Sequence, residues 1–161
     1  MTNIFILNHR YLIIIIIIIA LTASMSTQYD NTAVASNCIN GVTTDSLPCT
    51  WPCSLCHTQY SPQGWLVITV TGYSVNKVVV YNRIDCGTCH SRINNAKLIY
   101  SYDFAGTSII HQSSFGTTVL AVYTFDFSTT TYVRIQQTTS EYLNLVEVEM
   151  YYNNVKVPLS G

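Results

Sequence analysis

The fold of this chain is decided by the stretch Val78-Val79-Val80-Tyr81-Asn82-Arg83-Ile84-Asp85-Cys86. Its first four residues are β-branched or aromatic, which is typical of a β-strand that packs against a core. The strand ends at Asn82, and the following residues carry two opposite charges and a thiol. The stretch therefore predicts a strand that delivers a polar cluster to the loop at its end.

Similar short runs, bounded by Gly, Asn, Ser or Asp, lie on either side of this strand, and no stretch after the N-terminal region shows a helical period of 3.6. Predicted strands cover residues 65–70, 78–82, 96–102, 118–125, 132–136 and 143–152. Six strands at this spacing predict an all-β sandwich or barrel. In the last strand, Leu143 and Leu145 are out of phase with Val146 and Val148, which predicts a bulge or bend near Leu145.

The first 25 residues have the pattern of a secretory signal peptide. His9 and Arg10 precede an unbroken apolar run at residues 11–21, and small residues follow it. A membrane-spanning helix needs about 20 apolar residues, so this shorter run favours a cleaved signal over an uncleaved anchor. We therefore expect a secreted protein with a signal peptide at 1–25, one domain at 26–161, and no membrane span after cleavage.

Charge and motif content argue against several classes of function. The formal net charge is -1 and no basic run is present, which disfavours nucleic-acid binding. The sequence shows no nucleophile with a partnered base, no Gly-rich phosphate loop and no obvious pair of carboxylates. We therefore expect a binding protein and not an enzyme.

The six cysteines admit three interpretations. Disulfides are favoured in an exported chain, although the sequence alone does not choose among the possible pairings. The two CxxCH sequences, at 53–57 and 86–90, are also typical of covalent c-type haem attachment. The two CxxC pairs would equally supply four thiolates to a structural zinc ion. The cysteines are Cys38, Cys49, Cys53, Cys56, Cys86 and Cys89.

The segment around the opening stretch resembles the signature of the F-type lectins (fucolectins), in which a strand ends in Asn-Arg-x-Asp-Cys-Cys and an Arg-Leu follows. Here Arg92-Ile93 stands in the place of Arg-Leu, Cys56-His57-Thr58 resembles the family's Cys-x-His-Thr, and residues 143–148 resemble its closing strand. The resemblance covers nearly the whole chain after the signal. It implies a jelly-roll β-sandwich of the galactose-binding-domain type, a fold shared with discoidin-like domains.

The resemblance also implies a sugar site made by His57, Arg83 and Arg92, with Asp85 as the supporting acid. A guanidinium fork can donate to the axial hydroxyl and ring oxygen of fucose. A neutral histidine can donate to another hydroxyl. The expected partners are therefore fucosylated or galactose-type glycans.

A structural Ca²⁺ ion is the cofactor that the resemblance implies. Its expected ligands lie near the start of the domain and in the closing strand, where oxygen donors of side chains and carbonyls would surround it. These ligands are Asn40, Val42 and Glu147.

The spacing of this sequence departs from the family's pattern at the second half of the site. Gly87 and Thr88 separate two cysteines that are adjacent in the family, so Arg92 follows Asp85 at a longer distance along the chain. A bridge between Cys86 and Cys89 would take the place of the family's adjacent pair. The family's cysteine in the closing strand is replaced here by valine.

Two functions follow from these observations. The leading expectation is a secreted, calcium-supported lectin for fucose or a related sugar. A homo-oligomer would suit it, because single sites of this kind bind weakly. The alternative is a discoidin-like adhesion module that keeps the fold and binds protein, lipid or another glycan without the fucose site.

Overall fold

The computed structural model describes residues 20–43, 54–71 and 75–158. These ranges form β-strands and two short 3-10 helices, at Ala35–Ile39 and His90–Ile93. None of the helices in the described ranges is long and apolar enough to cross a membrane. The strands are β1 (Ala20–Met25), β2 (Cys56–His57), β3 (Ser61–Pro62), β4 (Trp65–Thr71), β5 (Val75–Asn82), β6 (Lys97–Ser101), β7 (Ile109–Ser114), β8 (Val122–Thr130), β9 (Tyr132–Gln136), β10 (Ser140–Glu141), β11 (Asn144–Tyr152) and β12 (Val155–Lys156).

Two antiparallel sheets form the sandwich. The first has the strand order β1-β4-β9-β6-β7, and the second has the order β12-β11-β5-β8. The short strand β2 also pairs with β11, and β3 pairs with β10 to form a small separate ribbon. The expected all-β sandwich is confirmed.

The core lies between the two sheets because side chains alternate between the faces of each strand. Val78 and Val80 of β5 are fully buried, as are Leu98 of β6 and Val148 of β11. Burying an aliphatic side chain of this size contributes roughly 1.5–3 kcal/mol to folding. The valine run that opened the sequence analysis therefore supplies one wall of the core.

Each of the six predicted strands overlaps an observed strand, and the predicted bulge is confirmed. The register of β11 against β5 shifts between Leu145 and Glu147. The strand predicted at 118–125 begins only at Val122, and the hydroxyl of Tyr123 donates to the Thr118 carbonyl, which holds the preceding residues in an irregular, bent conformation. The longer strands β1 and β7 were not predicted, and neither were the two-residue strands β3, β10 and β12.

The disulfide interpretation is confirmed for four of the six cysteines. Cys38 is bonded to Cys56, which ties the first 3-10 helix to β2, and Cys86 is bonded to Cys89. Sulfurs in these bonds are not thiolates, so the haem and zinc interpretations are wrong for these four residues. Cys49 and Cys53 lie outside the described residues.

Strand β1 falls within the segment predicted to be a signal peptide. The apolar run up to residue 19 lies outside the described residues, whereas Ala20–Met25 pairs with β4 along its whole length. Leu21 is 2% exposed and belongs to the main core. A chain processed after Met25 would therefore lack one edge strand of the first sheet.

We expect Leu21→Ala to lower the free energy of unfolding by about 2 kcal/mol or more, because it opens a space in the core. The matched change at the neighbouring exposed position, Thr22→Ala, should cost about 0.5 kcal/mol or less. A chain beginning at Ser26 should likewise unfold at lower denaturant concentration than one beginning at Ala20. Denaturant unfolding followed by tryptophan fluorescence measures each of these proteins, and equal midpoints would show that β1 is dispensable.

Candidate functional site

The residues of the predicted sugar site meet at one end of the sandwich. Strand β2 supplies His57, the loop after β5 supplies Arg83, and the second 3-10 helix supplies Arg92. The three side chains line one cavity with a volume of about 410 Å³, together with Tyr29, Cys89 and Tyr142. The structure thus brings together three residues that lie up to 35 positions apart in the chain.

Arg83 is held in place by Asp85. Its Nε lies 2.5 Å from one carboxylate oxygen and its second terminal nitrogen lies 3.0 Å from the other. The side chains are 15% and 5% exposed, so water competes little for this pair. A two-point pair of this kind fixes the plane of the guanidinium group. The structure thus places Asp85 where a supporting acid would lie.

His57 has one nitrogen committed to the backbone. Its Nδ1 lies 2.7 Å from the carbonyl oxygen of Thr58, and a carbonyl can only accept, so Nδ1 carries the proton. In the neutral ring Nε2 is then an acceptor, and it lies 3.4 Å from a terminal nitrogen of Arg92. In this geometry the donating nitrogen faces Thr58, so Nε2 would meet a ligand as an acceptor, whereas a donor was expected from the sequence.

The surroundings of His57 favour the neutral ring. Burial lowers the pKa of His57 below its ordinary value, and the positive charges of Arg92 and Arg83 lower it further. The Thr58 carbonyl and the charge of Asp30 act in the opposite direction without reversing the shift. Nε2 therefore stays unprotonated at neutral pH and acts as an acceptor.

Arg92 reaches the cavity despite the two additional residues between the cysteines. Its guanidinium carbon lies 4.6 Å from the centroid of the Tyr142 ring, and its Nε lies 3.9 Å from a carboxylate oxygen of Glu141. The side chain of Gln137 donates to the Arg92 carbonyl at 2.7 Å. Stacking on an aromatic face and a nearby carboxylate both favour a fixed guanidinium.

The Cys86–Cys89 bridge closes the loop that the two additional residues enlarge. It lies between Asp85 and Arg92 in the chain, and Cys89 lines the cavity. The backbone carbonyl of Cys89 accepts from the Arg92 amide at 3.2 Å. The bridge therefore ties the loop that carries Asp85 to the helix that carries Arg92.

Tyrosines near the cavity were not singled out in the sequence. The ring of Tyr29 lies 4.6 Å from that of His57, and the ring of Tyr142 lies 5.3 Å from it. Tyr60 packs against Tyr142 at 5.4 Å and is 59% exposed. Since the chain contains 12 tyrosines, no sequence signal separates these three from the rest.

The predicted calcium ligands lie at the first 3-10 helix and β11. Glu147 is fully buried, and one of its carboxylate oxygens accepts from the Asn40 amide at 3.1 Å. The Val42 amide donates to the side-chain oxygen of Asn40 at 2.9 Å. The structure thus places all three predicted ligands in one loop-and-strand cluster.

The chemistry of this cluster suits a cation. The second oxygen of Glu147, Oε1, is buried without a hydrogen-bond partner among the described residues. Burial raises the pKa of Glu147 to about 7, against the opposing effect of the Gly41 and Asn40 amides. The ammonium group of Lys156, which also acts on Glu147, is paired with Glu149 at 2.5 Å. A buried carboxylate with an unpartnered oxygen fits a metal ligand.

Solved structures with the same fold include sugar-binding domains. The lectin domain of Lectinolysin, complexed with Lewis B antigen, aligns with a TM-score of 0.68 and 23% identity over 82% of this chain and 92% of that one. The Streptococcus pneumoniae fucose binding module SpX-3 gives 0.69 and 20% over 86% and 98%. An F-lectin from striped bass (Morone saxatilis) serum gives 0.62 and 24% over 81% of this chain and 45% of that chain.

These likenesses establish the fold. They confirm the expected jelly-roll sandwich of the galactose-binding type. No protein-family model matches the sequence, and no curated protein matches it. Function is therefore inferred from the cavity itself.

We expect the pKa of His57 to lie below its ordinary value of 6.5 and to rise in Arg92→Met, because that change removes a positive charge beside Nε2. A two-dimensional ¹⁵N–¹H NMR titration of the imidazole measures the pKa, and it also reports the tautomer. The matched removal of a cation far from the cavity, Lys77→Met, should leave the value unchanged. A proton on Nε2 in the neutral ring would contradict the assigned acceptor.

Proposed function

We propose that this chain is a carbohydrate-binding module whose cavity takes fucose or a related sugar. The observation that carries the proposal is the convergence of His57, Arg83 and Arg92 on one cavity, with Arg83 held by Asp85 at two points. Solved structures of the same fold, named as fucose-binding or lectin domains, support it.

The hydrogen-bonding groups of the cavity match one face of a monosaccharide. The two guanidinium groups donate, so they suit a ring oxygen and the oxygen of an axial hydroxyl. Nε2 of His57 accepts, so it suits a hydroxyl that donates. Because Asp85 and Tyr142 already hold the arginines, little ordering entropy is lost when the sugar binds.

The aromatic wall supplies the apolar part of the recognition. Tyr29 is 51% exposed and, like Tyr142, lines the cavity beside His57. A sugar presents C–H groups, and fucose a methyl group, that can pack against such rings. The cavity therefore offers both polar and apolar contacts of the kind expected in a small-molecule site.

Binding without catalysis is the activity that these groups favour. Asp85 and Glu141 are each paired with an arginine of the cavity. Asp30, whose charge acts on His57, accepts from the hydroxyl and amide of Thr32 and from the Ala33 amide. The discoidin-like alternative, which needs no His and Arg set, is not favoured by a cavity in which that set is assembled. We further propose that the protein acts outside the cell, on glycans displayed there, and that several copies act together to gain strength.

A calcium ion is proposed as a structural cofactor at Glu147. Oε1 of Glu147 would hold the ion together with oxygens of the loop containing Asn40 and Val42. Bound Ca²⁺ would place a positive charge beside the buried carboxylate and so offset the cost of burying its negative charge. The role proposed for it is to stabilise the loop against β11, because the predicted ligands do not line the sugar cavity.

We expect the protein to bind L-fucose saturably in isothermal titration calorimetry, and Arg83→Ala to weaken binding about 30-fold or more, because two charge-assisted donors are lost. Asp85→Asn keeps the shape but removes the charge that fixes Arg83, so an intermediate loss of about tenfold is expected. Lys77→Ala serves as the matched removal of a cation elsewhere. Unchanged affinity in Arg83→Ala would place the sugar at another site.

We expect Ca²⁺ at millimolar concentration to raise the thermal unfolding temperature at pH 7.5 relative to EDTA, because binding to the native state alone stabilises it. Glu147→Gln should abolish this response. In EDTA the Glu147→Gln variant should be at least as stable as the parent, since a buried unpaired charge is removed. Glu141→Gln, at an accessible carboxylate, is the control that should retain the calcium response. A calcium response that survives Glu147→Gln would place the ion elsewhere.

A further inference from the structure

A second cavity, on the outer face of the first sheet, has a lining unlike that of the sugar cavity. It has a volume of about 270 Å³, and its lining consists of Ile99 and six polar residues. We name it the amide groove, because most of its polar lining residues are glutamines. These polar residues are Gln63, Lys97, Gln112, Gln136, Gln137 and Thr138.

The register of the strands puts these side chains on one face. Lys97 of β6 lies opposite Gln136 of β9, and Ile99 lies opposite Gln112 of β7. Leu98 lies between Lys97 and Ile99 in β6 and is fully buried in the core, so the side chains of those two neighbours point to the outer face. Groups on paired strands are held more rigidly than groups on loops.

The outer face is covered at one end and accessible at the other. At the covered end the loop between β6 and β7 packs on Arg134, and a Cβ added at Gly106 would lie only 3.0 Å from the Cδ of that arginine. Arg134 is 8% exposed, with its guanidinium carbon 4.5 Å from the Trp65 ring centroid and its Nε bonded to Gln136. The amide groove is the part of the face that this loop leaves accessible.

Several polar groups in the groove are not used within the protein, although the Thr138 hydroxyl donates to the Asn95 carbonyl at 3.1 Å and the Gln137 amide nitrogen donates to two carbonyls. Gln136 accepts from Arg134 at 2.8 Å, but its amide nitrogen reaches Gln63 only at 3.5 Å. The side chains of Gln112 and Lys97 make no hydrogen bond or ion pair that the structure records within its described ranges. The Oε1 atom of Gln137 is buried without a partner in those ranges.

Gln63 is held in a backbone conformation that ordinary residues avoid. Its φ is 57°, in the left-handed region that favours glycine or asparagine. The next residue in the chain is Gly64, and a glycine adopts this left-handed conformation at little energetic cost. A residue held in such a conformation, with its side chain in the groove, is of the kind that clusters at ligand sites.

We propose that the amide groove is a second binding site. It takes a neutral pyranose unit of a glycan that is not fucosylated. An amide both donates and accepts, as a sugar hydroxyl does, so an array of amides matches a polyhydroxylated ring. Lys97 is the one charged residue of the lining and can donate to a hydroxyl oxygen. Five of the six polar residues in the lining are neutral, so hydrogen bonds from amides and a hydroxyl outnumber any charge pairing there.

The two sites are joined by one segment of chain. Gln136, Gln137 and Thr138 line the groove, and Tyr142 lines the sugar cavity. The side chain of Gln137 donates to the carbonyls of Arg92 and Tyr142 at 2.7 and 2.9 Å. One module would therefore hold two sugar units, which raises its strength on a branched or crowded glycan surface.

The test uses the full domain carrying Arg83→Ala, so that the sugar cavity does not contribute. The unfucosylated tetrasaccharide lacto-N-tetraose is titrated while the side-chain amide resonances of the glutamines are followed by ¹⁵N–¹H NMR. We expect saturable shifts for Gln63, Gln112 and Gln136. Adding Gln63→Gly or Gln112→Ala should each weaken binding about fivefold, the effect of one lost hydrogen bond.

Two controls keep the outcome clear. Gln59→Ala removes an exposed glutamine that does not line the groove, so affinity should be unchanged. Gln63→Gly suits the left-handed backbone, so its unfolding temperature should be at least that of the parent, and its loss of binding cannot come from misfolding.

Three results would overturn the proposal. They are no shifts at all, shifts confined to the residues of the sugar cavity, or tighter binding of a sulfated heparin tetrasaccharide than of lacto-N-tetraose. Titration of L-fucose into Gln63→Gly with Arg83 intact reports on the sugar cavity alone. Failure of the groove and failure of the proposed function are therefore distinguishable.

Discussion

The proposed sugar site and the proposed calcium site both depend on one constraint, the antiparallel pairing of β5 with β11. Strand β5 ends at Asn82, so its pairing with Leu145 fixes where Arg83 and Asp85 leave the sheet. Strand β2 pairs with the same β11, with His57 opposite Asn144, and this sets His57 beside the end of β5. The ladder hydrogen bonds fix this arrangement before any ligand is present.

The irregularity in that pairing is as important as its regular part. The register shift between Leu145 and Glu147 moves the glutamate out of simple alternation. Glu147 is buried under the loop that carries Asn40, although its neighbours Val146 and Val148 are buried too. A strand buried on both sides at this point leaves the carboxylate with main-chain amides as its partners, and this is why the cluster suits a cation.

Strands were predicted correctly where the pattern of β-branched and aromatic residues was strong. Candidate site residues were identified where several residues of one motif lie close together in the chain. The run Val78–Asn82 is β-branched or aromatic throughout its first four residues, and Arg83 and Asp85 follow it directly. Strand β7 was missed because Ile109–Ser114 shows no alternation and pairs on one side only. Strand β1 was missed because its residues continue an apolar run typical of a signal. Contacts such as those of Tyr142 depend on tertiary packing between distant segments, which spacing in one sequence does not reveal.

The position of the Cys86–Cys89 bridge has a consequence for how the cavity is held together. The bridge ties the segment after Asp85 to the helix that bears Arg92, so both arginines of the cavity depend on one covalent link. In a reducing environment that link would open, and the segment after Asp85 would no longer be tied to the helix that bears Arg92. The oxidation state of one pair of cysteines would thus set how rigidly the two arginines of the cavity are held relative to each other.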